Sequence, residues 1–315
     1  MLGTAFPCGD PVAERRAGFA ETLAHLGDMA GAIEVLMGVM QIVPDWAAGW
    51  FRLGEWLEGC GAVDAAAEAW DKAVVADPRD PLGAGLRRDL LRGVPVAETM
   101  PPAFVELLFD QYAPRFDRSL VGRLEYRGPD LLITALRGQG LVRAERALDL
   151  GCGTGLMGAV LRDRCGWLVG YDISAGMLAE AAVKGDYDLL EKRDIALLDL
   201  DGTAHDLIVA ADVFIYLGAL ERMIGWCAGA LAPGGYLAFT VELGDAPVQL
   251  RESRRFAHSR SYVEQLLAQA GFVGVAFEDC VLRQDRGADV AALVVTARAP
   301  VLVQDWEGDA AEALA

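Results

Sequence analysis

The stretch LDLGCGTGLMG, Leu148–Gly158, decides the fold. It opens on residues that suit a buried strand, passes through Gly151, Gly153 and Gly155, and closes on a helical pattern. A glycine-rich turn from strand to helix lets a ligand approach the backbone with no Cβ in the way. From Gly153 onward, GTGLMG satisfies G-x-G-x-x-G, a dinucleotide fingerprint. From Leu148 onward, Asp149 stands just ahead of the loop and suggests a different ligand.

Outward from this stretch, apolar runs alternate with helical segments. RALDL (Arg146–Leu150), LVGYD (Leu168–Asp172), the segment around Glu191–Ile195, HDLIVAAD (His205–Asp212) and GYLAFTVE (Gly235–Glu242) are predicted as strands one to five. Such alternation argues for a parallel sheet with helices on both faces. FVGVAFEDCVLRQD and ADVAALVVTARA follow, joined by RGA with no helix between, and read as a hairpin. Upstream, FVELLFDQYAPRFDRSL reads as a helix with a turn at Pro114, and PDLLITALRGQG as a second helix.

Carboxylates mark the ends of these strands. Asp172 closes strand two, where an acid accepts from ribose hydroxyls. Asp194 follows strand three, with Asp199 and Asp201 as competitors, and Asp212 closes strand four. LAPGGYL, Leu231–Leu237, supplies the Pro and Gly-Gly of a turn before strand five.

This order of motifs resembles the class I methyltransferases that use S-adenosylmethionine (SAM). The resemblance implies a Rossmann-like α/β sheet closed by an antiparallel hairpin. It gives Asp149 to the cationic amino group of SAM, Gly151 and Gly153 to the loop, and Asp172 to the ribose, with Ile173 and Met177 beside it. Asp194 would accept from the adenine amino group while the Ile195 N–H caps the ring, and Ala211 and Asp212 would face SAM and acceptor. An anion at position 149 suits a pyrophosphate poorly, so an NAD oxidoreductase ranks last. N-P-P-Y after strand four is missing, and no Pro-Cys pair follows the glycine-rich loop (the chain's one such pair, Pro7-Cys8, lies far upstream), which disfavours amide, adenine-amino and cytosine C5 acceptors. FDQYAPRFDRSLVGRLEYRGP, Phe109–Pro129, is similar to the segment before the glycine-rich loop in bacterial methyltransferases that carry tetratricopeptide (TPR) repeats.

The N-terminal third carries a repeat. Pro44 and Pro78 stand 34 residues apart, the TPR period. Trp50, Leu53, Gly54, Leu57, Ala66, Trp70, Ala73 and Pro78 fall on the expected positions. The preceding unit fits through Phe19, Ala20, Leu23, Ala32, Leu36 and Pro44, with Arg16 in place of the first aromatic. A truncated third unit starts near Pro81 and ends near Arg92. The expected division is 1–100, TPR-like helices, and 101–315, methyltransferase, with RGVPVAETMPP (Arg92–Pro102) as linker. The helices would either bind a peptide or protein partner in a groove, or pack as a lid or dimer surface.

The 315 residues are 53% hydrophobic and 23% charged, with a net charge of −18. That acidity disfavours nucleic acid as a partner. Six scattered cysteines without a C-x-x-C pair suggest reduced thiols in a cytoplasmic protein and no metal site. The N-terminus shows no signal-peptide pattern, and the apolar run 207–220 is broken by Asp212 and too short to span a membrane.

For catalysis, Tyr112 lies in the segment that covers the SAM pocket in similar enzymes, and Tyr216 follows strand four. His258 and Glu242 fall on the expected substrate side, as base and amine-binding group respectively. Arg115, Arg123 and Arg127 would suit an acidic substrate. The leading expectation is a SAM-dependent methyltransferase acting on O or N of a small molecule. The alternatives are a protein methyltransferase with a TPR-selected substrate, and a catalytically silent SAM-binding scaffold.

Overall fold

The computed structural model describes residues 6–92, 100–285 and 287–301, without the side chains of Ser119, Val121 and Arg123. Most of the expected linker, 93–99, lies outside the described residues, as does the Arg123 side chain.

Five helices come first: α1 (Pro11–His25), α2 (Met29–Ile42), α3 (Ala47–Gly59), α4 (Val63–Ala76) and α5 (Ala84–Arg92). Asp10 starts α1 by accepting from the Val12 and Ala13 amides at 2.8 Å, and Asp28 caps α2 through Gly31. Helices α1 and α2 pack on each other, as do α3 and α4, and α5 lies on α4. The small residues set the spacing. A Cβ at Gly54 would sit 2.3 Å from Nε1 of Trp70, a fully buried side chain that donates to the Phe51 carbonyl. Trp46 and Trp56 are likewise core residues, while Trp50 packs partly buried beside them.

Three helices precede the sheet: α6 (Pro102–Tyr112), α7 (Phe116–Leu124), joined by a 3₁₀ turn, and α8 (Gly128–Gly138). Then come β1 (Ala144–Leu150), α9 (Leu156–Leu161), β2 (Cys165–Asp172), α10 (Ala175–Lys184), β3 (Leu189–Lys192) and β4 (His205–Ala210). The chain continues through α11 (Glu221–Ala230), β5 (Leu231–Leu243), β6 (Val248–Leu250), β7 (Phe256–His258), α12 (Arg260–Gln269), β8 (Val273–Asp285) and β9 (Ala288–Arg298).

Strands β3-β2-β1-β4-β5 are parallel, in that order. Strand β9 lies antiparallel against β5, and β8 antiparallel against β9. This is the doubly wound sheet with a closing hairpin that the sequence implied. Leu148, Leu150, Ile208 and Phe239 face the layer containing α11 and α12, while Ala147, Leu207 and Val209 face the layer of α8 and α9.

Three details differ from the sequence expectation. Strand β3 ends at Lys192, and Asp194 caps a 3₁₀ turn over Ile195–Leu197. LAPGGYL belongs to β5 itself: the register with β4 jumps between His205↔Leu231 and Leu207↔Tyr236, so the Pro and glycines form an irregularity within the strand. The short pair β6 and β7 was not foreseen, and β7 adds parallel to the end of β5. On β7, Phe256 packs with Leu86 of α5 and with Met100 and Phe104, which joins the N-terminal helices to the sheet edge.

Candidate active site

A cavity of about 500 Å³ opens at the carboxyl ends of β1, β2 and β4. Doubly wound sheets bind ligands where strand order reverses, and here it reverses between the neighbouring strands β1 and β4. Gly151 and Gly153 hold positive φ of 65° and 54°, conformations that favour glycine, and a Cβ at Gly151 would meet Val213 at 2.3 Å.

Asp172 braces this loop. Its carboxylate accepts from the Gly153 N–H and the Ser174 N–H, both at 2.8 Å, while Ser174 caps α10 through the Met177 amide. Burial pushes the Asp172 carboxyl up to about 6 despite these bonds. Asp149 is fully buried and accepts from the Tyr187 hydroxyl at 2.6 Å. Burial raises its carboxyl to about 7, with nearby Asp172 adding to the effect. Gly158, the last glycine of GTGLMG, makes room for Tyr187, because a Cβ there would lie 2.4 Å from the ring.

Two acceptors are left over. Oδ1 of Asp149 and Oδ2 of Asp194 are buried with no hydrogen-bond partner among the described residues, although the other Asp194 oxygen takes the Ala196 amide at 2.9 Å. A buried unpaired acceptor costs about 1–3 kcal/mol. SAM carries a cationic amino group and an adenine amino group, two donors of the kind these oxygens lack. The residues present therefore fit the cofactor. Asp199 and Asp201 are exposed, which leaves Asp194 as the acid of this segment that lines the cavity.

Helices α6 and α7 cover the loop. Asp110 accepts from Ser174 Oγ at 2.5 Å and from the Gly176 amide at 3.1 Å. Asp117 accepts from Thr154 Oγ1 at 2.5 Å and pairs with Lys184 at 2.7 Å. Both acids belong to the FDQYAPRFD motif. Between them Tyr112 packs edge-on to Phe116, and both line the cavity. Phe109 packs edge-on to Tyr216, which lines the opposite wall beside Arg255.

Not every expected residue reaches this cavity. His258 is turned into the core by the pairing of β7 with β5. It is fully buried, its Nε2 lies 2.9 Å from the Gly218 carbonyl oxygen, and its ring stacks on Tyr262. Burial pushes its pKa down, and it does not line the cavity. Glu242 is buried between Arg283 and Arg251 and is likewise outside the lining. Met177 is buried in α10, also away from the cavity, and Gly153 acts through its amide on Asp172. Arg115 and Arg127 are exposed and stand outside the lining too. Asp149, Gly151, Asp172, Ile173, Asp194, Ile195, Ala211, Asp212, Tyr112 and Tyr216 are brought together.

Sequence reading missed several residues here. Tyr126 lines the cavity, and Gly128 leaves it room: a Cβ there would be 2.2 Å from the Tyr126 hydroxyl. Arg254, Arg255 and Asp285 complete the far end. Arg283, almost wholly buried, binds the Asp212 carboxylate at 2.6 and 2.7 Å and also pairs with Glu242. A signal for it existed, since acids ending strands four and five need a counter-charge.

The family model for a methyltransferase domain matches residues 148–237. A malonyl-[acyl-carrier protein] O-methyltransferase from Methylococcus capsulatus is 31% identical over 209 residues, covering 60% of this chain and 73% of that protein. The enzyme of the same name from Enterobacter lignolyticus is 29% identical over 173 residues, 54% of this chain and 67% of that one. Some other curated methyltransferases match over less than half of their own length. The N-methyltransferase NodS from Bradyrhizobium japonicum, solved with S-adenosylhomocysteine (SAH), is 22% identical with a TM-score of 0.46, over 55% of this chain and 85% of that one. Similarity across most of a relative's length joins the acidic glycine loop and the hairpin-closed sheet in one conclusion: this chain belongs to the class I SAM-dependent methyltransferases.

Proposed function

We propose that the protein transfers the methyl group of SAM to an oxygen or nitrogen of a small-molecule acceptor held beneath α6 and α7. One observation carries this reading. A single cavity joins Asp149 and Asp194, each with one buried oxygen that has no partner among the described residues, to a far end lined by Tyr126, Asp212, Tyr216, Arg254 and Arg255. SAM supplies a methyl group activated by its cationic sulfur. In this scheme Asp149 holds the amino group, Asp172 the ribose, and Asp194 with the Ile195 amide the adenine, while Ile173 and Ala211 fill the walls. Phe109, Tyr112 and Phe116 exclude water, and the remaining work is alignment of the two reactants.

Asp212 is held by Arg283, and burial raises the Tyr216 hydroxyl above its ordinary value. Both groups thus orient an acceptor and are poorly suited to removing its proton. The O-methyltransferase names of the relatives favour oxygen as the acceptor atom. Calorimetric titration with SAH, with NAD as control, tests the cofactor side: one-to-one binding of SAH alone is expected. A screen of small acceptors with labelled SAM tests the rest, and labelling of protein in place of every small molecule would overturn it.

We further infer that α1–α4 form two TPR hairpins with α5 as cap, and that residues 1–100 and 101–315 are the two functional units. The 34-residue spacing and the consecutive helix pairs support this. A TPR-selected protein substrate is the second reading, resting on those hairpins. Six unpaired thiols support a cytoplasmic site of action, and no described helix is long and apolar enough to cross a membrane.

A further inference from the structure

The far end of the cavity carries a charge imbalance. Asp212 and Asp285 of the lining are paired with Arg283 and Arg255, and Glu242, behind the wall, with Arg283 and Arg251. That leaves Arg254, which lines the same cavity and forms no ion pair among the described residues. Its guanidinium lies 5.4 Å from the centre of the Phe104 ring. The carboxylate that acts on it, Glu55, is already held between Arg52 at 2.9 Å and Arg87 at 3.1 Å. Burial and the like charge of Arg87 both push the Arg254 pKa below its ordinary value. A partly buried cation without a counter-ion is costly unless a ligand pairs with it.

The backbone adds an independent observation. Arg254 sits at φ 58°, in the left-handed region where glycine is at home and a long side chain is strained. Its amide bonds to the Arg251 carbonyl at 2.8 Å, so the turn between β6 and β7 is closed on this strained residue. Packing does not require a side chain of this kind here, because its ring contact with Phe104 could be made by an apolar residue. From the turn to the glycine loop the cavity wall is apolar, through Phe104, Val105, Leu108, Phe109 and Leu124.

We propose that Arg254, with Arg255 beside it, forms an anion subsite, and that the acceptor is an amphipathic small molecule with a carboxylate or phosphate at that end and an apolar body along α6. This rests on the methyltransferase reading of the same cavity. The anion lies at the Arg254 end, away from Asp149, so the carboxylate of the cofactor does not occupy it. Methyl transfer itself is as described above: the acceptor atom gains the methyl, the sulfur keeps the electron pair of the broken bond, and any acceptor proton leaves to solvent.

The test is calorimetric binding to protein saturated with SAH, using octanoate, octyl phosphate and 1-octanol as probes, for the wild type, Arg254→Gly and Arg254→Lys. One or both anions should bind about tenfold or more tightly than octanol. The better anion identifies the headgroup. Arg254→Gly should abolish the preference while its melting temperature holds or rises, because the φ suits glycine. Arg254→Lys should keep part of it. Equal binding of octanol and both anions, no saturable binding of either anion, or a preference that survives Arg254→Gly overturns the subsite. The initial SAH titration separates the two ideas: without SAH binding the methyltransferase reading fails and the subsite with it. With SAH binding and no anion preference, only the subsite fails.

Discussion

Tyr187 reaches Asp149 from beneath the glycine loop, its hydroxyl donating at 2.6 Å to a carboxylate that solvent does not touch. The bond leaves the second Asp149 oxygen free for a ligand. Tyr187→Phe removes that donor and strands both oxygens. SAH affinity should fall about tenfold, a loss near 1.4 kcal/mol, and Asp149→Asn should fall further. Calorimetry measures both, and circular dichroism checks that the fold is kept.

Cofactor binding should depend on pH in a stated direction. Buried Asp149 titrates near 7 and Asp172 near 6, both above the ordinary aspartate value. A raised folded-state pKa means the folded protein holds the proton more tightly than the unfolded chain. Ionising these acids therefore costs stability above about 7, and the ligand-free protein should gain stability as pH falls from about 7 toward 4. The cationic amino group of SAH needs ionised Asp149, so its affinity should rise with pH up to about 7. Binding at pH 6.5 should release close to one proton, read from calorimetry in buffers of different ionisation enthalpy.

Asp194 should set the preference for adenine. Replacing it with Ala removes the unpaired acceptor, and SAH affinity should drop by roughly 1–2 kcal/mol. S-inosylhomocysteine, which has no amino group at that ring position, should bind wild type weakly and the Asp194→Asn variant comparatively better. Equal affinities of the wild type for the two ligands would remove Asp194 from the adenine site.

The cover should govern residence time. Asp117 ties α7 to Thr154 and Lys184, and Asp110 ties α6 to Ser174 and Gly176. Asp117→Ala should speed SAH release by roughly tenfold with little change in the association rate. Stopped-flow displacement measures this, and an unchanged release rate would mean that the cover does not gate the site.

Arg283 should matter for stability as much as for activity. Arg283→Met leaves partly buried Asp212 without its cation and buried Glu242 with Arg251 alone, at a cost of roughly 3–5 kcal/mol. Urea unfolding should show this as a lowered midpoint. Adding Glu242→Gln to the same chain should recover part of the loss.

The sheet was legible because its signals are local. Strands β1, β2, β4 and β5 each carry an apolar run, the hairpin lacks an intervening helix, and Asp149, Asp172 and Asp212 stand at strand ends where any doubly wound sheet gathers its ligand contacts. Asp194 was legible for the same reason, although its strand ends earlier than periodicity suggested. His258 was misplaced because β7 is only three residues long, too short to show a pattern, and its pairing with β5 decides where the ring goes. Tyr187 and Arg283 escaped notice because their partners are 38 and 71 residues away, and no spacing rule reaches that far. Arg283 also breaks the alternation: the register of β8 with β9 slips between Val281 and Arg283, so that Leu282 and Arg283 are both buried.

That slip has a consequence for the order in which the site comes into being. Asp212 and Glu242 leave the ribosome well before Arg283, so through that interval the nascent sheet holds two carboxylates and no arginine from β8 to neutralise them. The sheet can gather its apolar faces during this time, but the far wall of the cavity becomes electrically complete only when the hairpin folds back. A chain stopped between α12 and β8 would keep the glycine loop and the acids at the ends of the parallel strands, yet would lack the residue that holds Asp212 in place.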